Sequence, residues 1–102
     1  MTRIAKNVER GAVFLDAELP GWDDNINLER LQLGSTCYCV LGQQIKRGPD
    51  AAGRYQRVAE WLEVDPYGVE ARRLGFMVWG RQTYRQLTRS WKLLIERRRE
   101  GR

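Results

Sequence analysis

Cys37-Tyr38-Cys39 is the first constellation in this sequence whose residue types could do chemistry. On a helix, side chains two positions apart point to nearly opposite sides, so the two sulfurs cannot grip one ion. A tetrahedral zinc site wants four ligands, and the chain has no histidine and no other cysteine. No metal site is expected within one chain, and the thiols read as small buried hydrophobes. A metal shared between two chains is the one arrangement left open. Asp23-Asp24 are adjacent carboxylates that make no general acid/base pair by themselves and read as solvated turn residues. Gly48 to Gly53 has the glycines of a phosphate loop but lacks its Lys-Ser/Thr. Without histidine, Ser-His and Cys-His nucleophilic pairs are impossible. No catalytic residue and no cofactor is expected, and the chain reads as a non-enzyme.

The charge is more informative. Residues 1–79 carry 10 basic and 11 acidic groups, whereas residues 80–102 carry 8 basic and 2 acidic. The whole positive excess behind the net charge of +5 sits at the C-terminal end, while Asp16, Glu18, Asp23, Asp24 and Glu29 make residues 16–29 acidic. Arg81, Arg85, Arg89 and Lys92 step by four, four and three, which on a helix is one face. Three readings of that face stay open. It is a ridge for phosphate backbones or an acidic protein surface, a solvated face complementing the helix dipole, or a surface packed against the acidic 16–29 segment.

The elements that must position these groups are helical. Ile4, Val8, Ala12, Leu15 and Leu19 form one stripe, predicting a helix over 3–19. Gly11 lies on that stripe and would admit a close neighbour; Pro20-Gly21 ends the helix. Residues 22–34 read as a packed connector in which Asn27 caps a helical turn. A second helix is expected over 37–47, closed by Gly48. A third is expected over 51–63, and a short one opens at Asp65-Pro66 and stops at Leu74-Gly75-Phe76 with glycine in a left-handed cap. Phe76 to Trp79 is a buried linker or minor strand. Tyr84, Leu87, Trp91 and Leu94 form the seam of a last helix over 81–99, about 28 Å long. With no alternating strand pattern, the chain is expected to be all-α, a single domain over 1–96 of four or five helices. A basic, frayed tail over 97–102 follows.

Val69 to Trp91 also bears a helix-turn-helix reading. Ala71, Leu74 and Gly75 fall at the small, apolar and turn positions, and the following helix carries Arg81, Arg85 and Arg89. Against it, Phe76-Met77-Val78-Trp79 fills a turn that is normally short and polar. Trp79 and Trp61 are the aromatic candidates for an interface anchor near these cations.

The stretch Arg10-Gly11, Leu15-Asp16, Pro20-Gly21-Trp22, Ile26-Asn27-Leu28, Leu31, Leu33 and Cys39-Val40-Leu41-Gly42-Gln43 resembles a pattern in small proteins of actinobacteria and their bacteriophages. Leu74-Gly75-Phe76 and Tyr84, Leu87, Trp91 resemble its closing part, while Arg97 to Arg102 lie outside it. That resemblance implies a phage or prophage accessory protein in the host cytoplasm, and it offers no catalytic residue to carry over.

The expected function is therefore non-catalytic docking onto a host or phage protein through Arg81, Arg85, Arg89 and Lys92 with Trp79 and Trp61. DNA binding is the alternative, and a homodimer through the last helix is a further possibility. The longest apolar run, Cys37–Leu41, is five residues, against about 20 for a membrane span. The N-terminus lacks a secretory leader pattern, so a cytoplasmic location is expected.

Overall fold

A computed structural model describes residues 2–45 and 53–101. The end of the expected 37–47 helix, its Gly48 cap, the start of the 51–63 helix, most of the Gly48–Gly53 segment and Arg102 lie outside the described residues. Among the described residues the chain is all-α, with helices α1 (Arg3–Glu18), α2 (Arg54–Trp61), α3 (Val69–Arg73) and α4 (Tyr84–Glu100), two short 3-10 turns at Trp22–Asn25 and Gly42–Gln44, and no strand.

α1 begins where Thr2 accepts a hydrogen bond from the Ala5 amide at 3.1 Å, which satisfies one of the donors that every helix start leaves over. The predicted stripe is the buried one: Val8, Ala12 and Leu15 are covered, with Gly11 among them. α1 packs on α4 and on α3. The approach is so close that a Cβ on Gly11 would stand 1.9 Å from the Leu74 carbonyl oxygen and 3.0 Å from the Trp91 ring.

α4 starts later than the seam suggested. Thr83 and Gln86 form a reciprocal capping box, Gln86 N to Thr83 Oγ1 at 3.2 Å and Thr83 N to Gln86 Oε1 at 3.0 Å. That box fixes the first turn at Tyr84, so Arg81 lies in the preceding turn. The core side of α4 is Leu87, Trp91 and Ile95; Tyr84 is exposed and Leu94 half-buried. Trp91 is the hub. It meets Trp22 edge-on at 5.7 Å, stacks on Phe76 at 6.1 Å, and donates its indole N–H to the Gly75 carbonyl at 2.6 Å.

α3 ends as its sequence predicts. Gly75 is left-handed (φ +74°), with Gly75 N bonding Arg72 O at 3.1 Å and Phe76 N bonding Ala71 O at 2.9 Å, the paired bonds of a Schellman cap. Its start differs. Asp65 Oδ1 accepts from Tyr67 N in a local turn at 3.0 Å, and the helix opens at Val69. Phe76 to Trp79 is linker, without a strand.

Two expectations fail more clearly. Over 37–45 there is no α-helix: Ser35 Oγ accepts from the Cys37 and Tyr38 amides, turning the chain, and only a 3-10 turn follows. Among the described residues the basic end is helical where a frayed tail is expected: α4 runs to Glu100 and its last turn is docked on the acidic segment.

Candidate polyanion-binding face

The acidic segment is met by the last turn of α4, beyond the predicted ridge. Arg98 pairs with Asp16 at 2.7 Å and approaches Asp23 at 4.0 Å. Arg99 donates to the Asp23 and Ile26 carbonyls at 3.0 and 2.7 Å. Asp23, expected as a solvated turn residue, is only 5% exposed beneath this contact. The Arg98 guanidinium holds the Asp16 carboxyl below the ordinary carboxylate range, against a smaller opposing effect of burial.

These are the ion pairs among the described residues, so Arg81, Arg85, Arg89 and Lys92 meet no carboxylate there. Arg81, Arg85 and Arg89 are exposed and Lys92 is half-buried. They do not form one helix face. Arg85, Arg89 and Lys92 line a hollow of about 870 Å³ between α4 and the 31–34 segment, with Tyr84, Gln86 and Thr88. Arg81 belongs to a second hollow, of about 500 Å³, with Thr2, Arg3, Trp79, Gln82 and Gln86. A third, of about 510 Å³, is lined by Arg3, Lys6, Asn7, Arg10, Arg73 and Trp79.

The hollows form a series. The second and third share Arg3 and Trp79, and the first and second share Gln86. Together they carry eight cations, and among the described residues no aspartate or glutamate lines any of them. Beyond Arg10 the next hollow along α1 includes Glu9, and the purely cationic lining ends. Concave surfaces lined by one sign of charge focus the field and raise the local concentration of the opposite ion.

Trp79 is thus brought together with the cations, and its ring is set by its neighbours. The Arg72 guanidinium lies 5.7 Å from the ring centre, and the Trp79 amide donates to Gln82 Oε1 at 2.9 Å. Trp61 is not: at 63% exposed on the end of α2 it lines none of the three hollows. The sequence reading missed Arg3, Lys6, Arg10 and Arg73. Arg3, Lys6 and Arg10 follow one another at spacings of three and four, the same signal that marked the last helix. It was masked because the acids of residues 16–29 bring the charge of residues 1–79 close to zero.

The remaining candidates do no visible chemistry. Cys39 is buried, its sulfur accepting the Gly42 amide at 3.2 Å, and Cys37 is half-buried. No group of three or more His, Cys, Asp or Glu that could hold a metal is found among the described residues. The helix-turn-helix geometry is absent from 69–91. α3 has five residues, and the ten residues from Leu74 to Thr83 separate it from α4, where that motif needs a turn of about three or four. No described helix is long and apolar enough to cross a membrane. Compared with family models, curated proteins and solved structures, the chain matches none.

Proposed function

We propose that this protein is a non-catalytic binder of nucleic acid, gripping the phosphate backbone with the cationic track that runs from α1 past Trp79 to α4. In the phage or actinobacterial setting implied by the sequence pattern, it would act in the host cytoplasm. The observation that carries the reading is the lining itself: eight Lys and Arg side chains in three adjoining hollows with no carboxylate among the described residues that line them. Cores of protein–protein interfaces are, arginine apart, depleted of charge and built on apolar and aromatic groups. Surfaces that bind nucleic acid are far more positive. The lining of this face is cationic, which favours nucleic acid over the protein partner expected from sequence. The contacts are to phosphate, so the binding is sequence-tolerant.

Fluorescence anisotropy with a short mixed-sequence duplex, across a salt series, tests this. If Arg81, Arg85, Arg89 and Lys92 each engage one phosphate, affinity falls with salt at a log–log slope of about −3.6. Arg85→Glu with Arg89→Glu lowers affinity at every salt concentration and flattens the slope. A slope near zero, or no binding at low salt, defeats the proposal.

The second reading is docking on an acidic protein surface, favoured by the exposed indole of Trp61. Labelled polyglutamate distinguishes it. Binding as tight as the duplex, and lost with Trp61→Ala, would support the protein partner.

A further inference from the structure

The hollow bounded by Arg3, Lys6, Arg10 and Arg73 has a wall made of donors. Asn7, only 5% exposed, gives its side-chain oxygen to Arg10 Nη1 at 2.8 Å. Arginine has no acceptor to offer, so the oxygen must be the atom facing it. Asn7 is one of the residues lining the hollow, and its amide nitrogen makes no hydrogen bond to a described residue. Four cations and an amide group suit a ligand with several acceptor oxygens, as a phosphate has.

Trp79, whose ring meets the Arg72 guanidinium at 5.7 Å, is the aromatic group that lines this hollow. The indole stands where two cationic hollows meet, with Arg3, Lys6, Arg10 and Arg73 on one side and Arg3 and Arg81 on the other. An aromatic ring flanked on both sides by phosphate-binding cations matches a strand passing across it, one base on the ring and its neighbouring phosphates to either side. The hollow, about 510 Å³, falls in the range of small-molecule pockets. A duplex keeps its base faces stacked inside and offers only its backbone and the base edges in its grooves.

Resting on the polyanion reading above, we infer that the Trp79 trough is a single-strand subsite, taking one unpaired base against the indole while Arg3, Lys6, Arg73 and Asn7 hold the adjoining phosphate. The protein then prefers single-stranded nucleic acid to duplex.

The test compares labelled oligothymidylate with a duplex of the same length, at one moderate salt concentration and then across a salt series, for three proteins. The wild type binds the single strand more tightly. Trp79→Leu weakens single-strand binding by roughly 5- to 150-fold, the loss of one stacked base, and barely alters the duplex. Lys6→Gln with Arg73→Gln, both at exposed positions, gives a second readout that does not depend on the linker packing. It reduces the single-strand salt slope by about 0.7 for each phosphate that is no longer neutralised. Equal wild-type affinity for the two forms overturns the subsite, as does an unchanged slope in the double variant, and either leaves the duplex result of the wider face intact. Absence of binding to both nucleic acids at low salt removes the face and the subsite together.

Discussion

Arg98 grips Asp16 with both ends of its guanidinium, Nη1 to Oδ1 at 2.7 Å and Nη2 to Oδ2 at 2.8 Å, clamping the last turn of α4 to α1. The indole N–H of Trp22 bonds the same Asp16 oxygen at 2.9 Å, and the guanidinium lies 5.5 Å from the Trp22 ring centre. Arg98 foremost, with Trp22 in support, lowers the Asp16 pKa, against the opposing effect of burial. The folded protein therefore holds that proton more weakly than the unfolded chain. The stabilisation is in place above the unfolded carboxylate value of about 3.9 and is lost as pH falls through the lower, folded value.

Asp16→Asn tests that linkage. The pair is partly exposed, so the loss near neutral pH is about 1 kcal/mol, the upper end for solvent-screened ion pairs. Urea midpoints of variant and wild type should converge as pH drops below about 4. A gap that stays constant with pH would mean that Asp16 acts through packing and not through its charge.

Two arginines on one helix separate stability from binding. Arg89 is exposed and lines an open hollow, so Arg89→Glu should change stability by no more than about 0.5 kcal/mol while weakening nucleic-acid binding. Arg98→Glu places an acid against Asp16 and the buried Asp23, at a cost of about 2 kcal/mol or more. Denaturation and anisotropy on both variants should give opposite rankings. The same ranking in both assays would show that the two ends of α4 are not divided in this way.

Gly11→Ala should destabilise even though alanine is the better helix former by about 1 kcal/mol. The new Cβ would sit 1.9 Å from the Leu74 carbonyl, a backbone atom at the end of α3, with the Trp91 ring behind it. Opening the α1–α3 contact to admit it costs about 1–3 kcal/mol net. A thermal melt reads the result, and a variant melting above wild type would contradict the close approach.

The helices were legible where one buried stripe meets a clear stop. α1 showed through the run Val8, Ala12, Leu15, and α3 through its glycine cap, because both signals are local. Over 37–45 the same logic misled. Cys39, Val40 and Leu41 are consecutive and all buried, which no single helix stripe produces, and the segment is held by Ser35 locally and by Gln43 and Gln44 reaching back to Asn27 and Trp22. The site was half legible. A run of arginines close in sequence can be seen, but whether an acid faces it depends on tertiary contact. The structure gives the carboxylates of Asp16 and Asp23 to Arg98, and sets Arg81 in one hollow with Arg3 of α1, a pairing that no local window connects.

Gln43 is the side chain that sequence periodicity least suggests and the 27–45 segment most depends on. Buried at 8% exposure, it accepts from Asn27 N at 2.7 Å and donates to Tyr38 O at 2.9 Å and Asn27 O at 3.3 Å. Gln43→Leu keeps the volume but strands the Asn27 N–H, and it takes one of two bonds from the Asn27 and Tyr38 carbonyls, which keep the Arg30 and Gln32 amides. Because these bonds are only partly buried, the expected cost is about 2 kcal/mol, below the sum for fully enclosed groups. Denaturant unfolding measures it; a loss under about 0.5 kcal/mol would mean that water replaces the glutamine without penalty.

The two cysteines should differ sharply in reactivity. Burial raises the Cys39 thiol to about 11, with the amide bond from Gly42 pulling weakly the other way. At mildly alkaline pH about a thousandth of it is thiolate, the form that attacks an alkylating reagent, and its sulfur is covered as well. Cys37 is half-buried and reachable from solvent. Iodoacetamide followed by mass spectrometry should find Cys37 modified in the native protein and Cys39 only after unfolding. Equal labelling of both would show that the 35–42 turn opens faster than the reagent reacts, and that Cys39 does not belong to the stable core. Cys39 labelling confined to denatured protein instead makes this thiol a probe of global unfolding, against which the Gly11 and Gln43 variants can be ranked.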